Sequence, residues 1–100
     1  MDNNATAILA QWLSSHQDTI EQLGSEIEQR GVLNGKSNIS VISPNHLVDI
    51  TAWDNSYCLD IFAFHRDSKI LQYSEVGACD NETNFRNRLE RFLRWFLNQL

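Results

Sequence analysis

Apolar and polar residues alternate with a period of two through the middle of the chain, and the alternation predicts two paired strands. Across His46 to Trp53, Val48, Ile50 and Ala52 share one face, while Asp49, Thr51 and Trp53 share the other. Across Tyr57 to Phe64, Leu59, Ile61 and Ala63 separate in the same way from Cys58, Asp60, Phe62 and Phe64. A two-residue turn at Asn55-Ser56 opposes Val48 to Ala63, Ile50 to Ile61 and Ala52 to Leu59, so each apolar residue meets another. The same register brings Asp49 beside Phe62, Thr51 beside Asp60 and Trp53 beside Cys58. One face is then ordinary core. The other mixes carboxylates with large aromatic rings, a combination that is costly in water unless a helix or a partner protein covers it.

Helical spacing frames this hairpin. From about Ala5 to Ile27, the residues Ala5, Ile8, Leu9, Trp12, Leu13, His16, Ile20, Leu23 and Ile27 fall on one side of a helix, with Asn3 or Asn4 as a cap and Gly31 just past its end. From about Asn81 to Leu100, Phe85, Leu89, Phe92, Leu93, Phe96, Leu97 and Leu100 make the strongest helical stripe. Asp80 or Asn81 can cap that helix, and Glu82-Arg86 and Glu90-Arg94 are i,i+4 pairs. Trp95 projects away from the stripe beside Arg88 and Arg91, where it can stack on Arg91.

Between the helices, Asn34-Gly35-Lys36 reads as a loop, Asn38 to Ser43 as a strand with Ile39 and Val41 on one face, and Ser43-Pro44-Asn45 as a turn. A last strand follows Arg66-Asp67-Ser68-Lys69. A two-residue turn there puts Leu71 and Tyr73 on the mixed face beside Phe64 and Phe62, whereas a three-residue turn returns them to the core face. The predicted architecture is αββββα. It is a single α+β domain over residues 1–100 in which an antiparallel four-stranded sheet is flanked by an N-terminal and a C-terminal amphipathic helix, with room for one helix on each side.

Composition adds a constraint on partners. The chain has 100 residues, 42% hydrophobic and 21% charged, which suits one globular core. Thirteen acids against eight bases give a formal net charge of −5, repelled by phosphate backbones and anionic lipid and attracted to basic partners. Residues 1–80 carry 11 acids and 4 bases, net −7, and residues 81–100 carry 2 acids and 4 arginines, net +2, so a basic partner is expected to meet the front of the chain. No apolar stretch approaches the ~20 residues that span a bilayer, and no secretory signal opens the sequence, so a cytoplasmic location is expected. Cys58 and Cys79 are expected as reduced thiols, with a single bridge between them left open.

Chemistry that depends on fixed spacing is missing. There is no His-x-x-x-His, Cys-x-x-Cys or His-Glu pair for a metal, and the four glycines are isolated from one another. His16, centred on the first apolar stripe, reads as a half-buried histidine with a hydrogen-bond partner, and His46 and His65 as exposed residues flanking strands. Asp49 and Asp60 share a face as a hydrolase pair would, but sit diagonally on open strands with no cleft implied. Cys58 in mid-strand reads as packing. The arginines of the last helix, with Trp95, raise nucleic-acid binding, but they spread around the helix surface of an acidic protein and read as a solvated face. We therefore expect no catalytic residue, no cofactor and no metal, but a partner-binding surface of Asp49, Thr51, Trp53, Asp54, Asp60, Phe62 and Phe64. Its acids would steer encounter and its rings supply anchors, as suits an inhibitor of a cationic protein such as a nuclease.

A family resemblance sharpens this. An N-terminal helix with Trp12-Leu13, the run Ile50-Thr51-Ala52-Trp53-Asp54-Asn55-Ser56, the alternation Leu59-Asp60-Ile61, a further strand and a closing amphipathic helix together resemble the TriTu family of bacterial immunity proteins, over a similar length. The resemblance implies an antidote that binds the toxin domain of a contact-dependent growth inhibition effector, a transfer-RNA-cleaving nuclease that works with elongation factor Tu, and blocks it. Thr51, Trp53, Asp54 and Asp60 are the pattern positions; Asn55-Ser56 departs from the glycine expected after the tryptophan. A small acidic secretion chaperone, binding an effector segment and dimerising through Phe92, Trp95 and Phe96, is the alternative expectation. A small hydrolase would require His16 or His65 to join Cys58 or Asp60.

Overall fold

The computed structural model describes residues 4–54 and 57–99. Helix α1 (Ala5–Gln22) leads into five strands, β1 (Glu26–Leu33), β2 (Lys36–Ile42), β3 (His46–Trp53), β4 (Cys58–His65) and β5 (Leu71–Glu75), and helix α2 (Glu82–Asn98) closes the chain. The strands pair antiparallel in sequence order, β1-β2-β3-β4-β5, so the sheet is a meander.

The β3–β4 pairing has the register predicted from alternation, including Val48↔Ala63, Ile50↔Ile61, Asp49↔Phe62 and Trp53↔Cys58. The proposed turn at Asn55-Ser56 lies outside the described residues. With this parity, Ile39, Val41, Val48, Ile50, Ala52, Leu59, Ile61 and Ala63 form one apolar face, and they share a single core with Ile8, Leu9, Trp12, Leu13 and Ile20 of α1 and Phe85, Leu89, Phe92, Leu93 and Phe96 of α2. Both helices therefore lie on the same face, and the second side of the sheet carries none.

The sheet has five strands, not the four expected, because the first helix stops earlier than its apolar stripe suggests. Gly24 takes φ +87, a left-handed conformation that ends α1, and Ile27, in phase with the stripe, instead faces the core from β1. The supposed loop at Asn34-Gly35 is a hairpin turn with φ 54 and φ 72, the conformation in which both central residues are left-handed and which suits Asn-Gly. The last hairpin combines both predicted options. Leu71 pairs with Phe64, then a one-residue irregularity at Gln72 restores Tyr73 to the core face beside Ala63.

Capping also differs at the two helices. Asn81 caps α2 by accepting from the Asn84 backbone N–H at 2.8 Å. Asn4 occupies the corresponding position of α1 without a side-chain bond, and the task falls to Asp54 at the end of β3, whose Oδ1 accepts from both the backbone N–H and the hydroxyl of Thr6 at 2.9 Å. A carboxylate at a helix N-terminus satisfies a free donor and opposes the positive end of the helix dipole.

The surface of α2 is occupied by the fold itself. Trp95 does not stack on Arg91; it packs on Tyr73, on Phe92 and, at 5.5 Å, edge-on to His46. Arg91 pairs with Glu75 at 2.6 Å, and Arg88 donates to the carbonyls of Val76, Gly77 and Ala78. His46, expected to be exposed, is 3% exposed and shares a 2.7 Å hydrogen bond with Gln72. Phe92 and Phe96 are fully buried, which removes the helix-borne dimer face anticipated for a chaperone.

Asp54→Ala should cost about 2 kcal/mol in urea unfolding while Asp54→Asn costs about half as much, since the amide keeps the acceptor and loses the charge. Burial, and the hydrogen bond that Tyr73 donates to Glu75, push the Tyr73 phenol from 10.0 up to about 12. Between those values only the unfolded chain gains by losing the proton, so this contribution is intact below pH 10 and is lost as pH rises through about 12. Alkaline unfolding curves should show that loss, and Tyr73→Phe should remove it.

Candidate docking face

The helix-free side of the sheet is built in cross-strand rows. The first row runs Glu26, Ile42, Leu47, Phe64, Leu71 from β1 to β5, so four apolar side chains stand side by side behind one carboxylate. The second runs Glu28, Ser40, Asp49, Phe62, Ser74. The third holds Arg30, Asn38, Thr51 and Asp60, and the fourth Lys36, Trp53 and Cys58. Ile42, Leu47, Phe62 and Phe64 are half-buried by their neighbours and Leu71 is 47% exposed, with no described helix or strand above them.

The chemistry of this face changes along the strands. At the first-row end, Glu28, Ser40, Ile42, Leu47, Asp49 and Phe64 line a depression of about 350 Å³. Its walls are apolar and its charged groups are carboxylates. At the other end, a depression of about 420 Å³ lies between Trp53 and the β1–β2 hairpin, where Lys36 Nζ sits 5.5 Å from the Trp53 ring centre. The basic groups of the face gather there, because Arg30 belongs to the same depression.

A polar network separates the two. The Asn38 amide donates to Asp49 Oδ1 at 2.7 Å and to Thr51 Oγ1 at 2.9 Å, while its oxygen accepts from Arg30 Nη1 at 2.5 Å. Arg30 also donates to Ser40 Oγ at 3.2 Å and meets Glu28 at 3.2 Å. These bonds fix the carboxylate of Asp49 in an exposed position and leave it pointing into solvent beside Phe62.

The residues singled out by alternation divide accordingly. Asp49, Phe62 and Phe64 belong to the acidic, apolar end. Thr51 is buried within the network, and Trp53 stands at the basic end beneath Lys36. Asp60 is partly committed to the fold, accepting from the Gly77 N–H at 3.0 Å. Asp54 does not share the face at all; it holds the start of α1. The sequence reading missed Ile42 and Leu47, which are visible in hindsight by parity, next to Val41 and Val48; Leu71 stands beside Phe64 as the two-residue-turn option placed it, although Tyr73 does not follow it onto this face.

The alternative catalytic sets are not brought together. Cys58 and Asp60 lie on the open face, while His65, in register with His46, and His16, which meets Glu90 at 3.4 Å between the helices, lie across the sheet from them. Burial, followed by the charge of Asp60, pushes the Cys58 thiol up, and burial does the same to Cys79, so both favour the protonated form over a thiolate. Among the described residues no group of three or more His, Cys, Asp or Glu side chains is arranged to hold a metal ion. No described helix is long and apolar enough to cross a membrane. No protein-family model matches the chain, and comparison with curated proteins and with solved structures gave no match.

Proposed function

We propose that this protein is a binding module of the immunity-protein kind, which docks the first-row end of its open sheet face onto a basic toxin domain and blocks it by occlusion. The observation that carries the reading is the row Ile42–Leu47–Phe64–Leu71, an apolar strip left uncovered by either helix and bordered by Glu26, Glu28 and Asp49. An apolar centre with a charged rim is the anatomy of a protein interface. Glu26 and Asp49, which form no ion pair among the described residues, favour a partner rich in Lys and Arg, as a nuclease must be to hold phosphate, while Glu28 is already paired with Arg30.

The likeness to the TriTu immunity proteins supplies the partner class: a transfer-RNA-cleaving toxin domain, met in the cytoplasm, in an assembly that can include elongation factor Tu. On this reading the protein turns over no substrate and needs no cofactor. Burial of the apolar strip provides affinity, and Asp49, held by Asn38, provides orientation and encounter rate.

The test is to co-express the chain with the C-terminal toxin domain of a contact-dependent growth inhibition effector, chosen by whether its gene directly precedes this one, and to measure binding and nuclease protection. Phe64→Ala with Asp49→Lys should weaken the complex by more than about 2 kcal/mol and abolish protection, with Asp18→Lys on the outer side of α1 close to neutral. Unchanged affinity in the double variant would remove this face from the interface. Capture of an unfolded effector segment, with no folded toxin domain bound, would favour the chaperone reading.

A further inference from the structure

The two edges of the sheet are unlike. β5 spans five residues and its pairing is interrupted at Ala63/Phe64, so its outer edge offers no continuous ladder. β1 spans eight residues, and of their side chains only Ile27 is half-buried, the rest being exposed. Proteins blunt free edges with proline, lysine, bulges or short strands. β1 contains neither proline nor lysine, and it pairs regularly with β2 from Glu26 to Arg30, the register shifting only between Arg30 and Leu33, where Gly31 and Val32 have no β2 partner.

We propose that β1 is a self-recognition edge through which two copies of this chain pair antiparallel about a two-fold axis at Gln29. In that register Glu28 of each copy lies opposite Arg30 of the other, and both pairs fall on the open face. Ile27 of each copy lies opposite Gly31 of the other. At Gly31 there is nothing within 4 Å of where a Cβ would stand, which leaves room for the incoming isoleucine.

Charge selects this register over its neighbours. With the axis at Glu28 the two Glu28 side chains oppose each other while Arg30 lies opposite Glu26 twice, so that register keeps two opposite-charge pairs but adds a like-charge one; with the axis at Arg30 the two arginines oppose each other and no opposite-charge pair forms. A shift of one residue opposes the helix-covered face of one copy to the open face of the other. The guanidinium is already held in place on the open face, because Arg30 donates to Asn38 and Ser40 and meets Glu28 of its own chain at 3.2 Å. In the pair the four charged groups alternate in sign across the junction. The two five-stranded sheets become continuous, and the two open faces lie side by side.

This inference stands apart from the identity of any toxin and is tested on the purified full chain alone, by sedimentation equilibrium from micromolar to millimolar concentration. The wild-type chain should form dimers. Glu28→Arg and Arg30→Glu should each weaken association by about tenfold, because each places like charges opposite one another twice. Mixing these two variants in equal amounts should restore it, since every opposed pair then carries opposite charge, and the doubly swapped chain should dimerise as the wild type does. Circular dichroism checks that the folds match; should either reversal unfold the chain, Glu28→Gln and Arg30→Gln at the same exposed positions should give the same order with smaller steps. A wild-type chain that stays monomeric, single variants that associate unchanged, or a mixture no tighter than its components would overturn the proposal.

Discussion

The parity of the β3–β4 pairing governs the rest of this molecule. Opposing Ile50 to Ile61, and not to a neighbour one residue away, decides that Val48, Ala52, Leu59 and Ala63 meet both helices and that Asp49, Phe62 and Phe64 do not. A slip of one residue would exchange the two sets and bury carboxylates under α1 and α2, at a cost far above the stability of a domain this size. Two helices on one side supply the apolar cover that makes the register unique. The open side has no such cover, and its composition is correspondingly free to serve recognition.

Much of this was legible in the chain because the strongest signals are periodic and local. Alternation through His46–Phe64 specified the central hairpin to the residue, and the stripe from Phe85 to Phe96 specified the closing helix. What escaped was set by conformation or by distant contacts. Strand β1 reads Glu-Ile-Glu-Gln-Arg-Gly-Val-Leu, weak in strand formers, and its Ile27 happens to extend a helical stripe; a single left-handed glycine at position 24 overrides that phase. The Asn34-Gly35 dipeptide was the available clue, since it favours a tight hairpin more than a loop.

The open face of the sheet was legible by parity, but the roles of its residues were not. Asp49, Phe62 and Phe64 follow from alternation alone, whereas Asp54 and Asp60 carry side-chain bonds to Thr6 and Gly77 that no local pattern encodes. An acidic residue adjoining a strand end reads equally well as solvated, as steering, or as a cap for a helix whose partner residue lies far off in the chain. Only the three-dimensional path of α1 separates those meanings. The same holds for Trp95, whose apparent isolation on the helix surface ends once Tyr73 and His46 arrive beneath it.

The Thr6–Asp54 bond spans 48 residues, while each strand pairs with its neighbour in sequence. During synthesis α1 leaves the ribosome before any strand of the sheet, yet the carboxylate that completes its first turn and the strands that cover its apolar stripe follow a sheet's length later. Until then a strongly amphipathic segment, with Trp12 and Leu13 uncovered, waits in the company of chaperones and other nascent chains. Meander hairpins close quickly because their contacts are near neighbours, so the wait is governed by the pace of translation more than by the pace of folding.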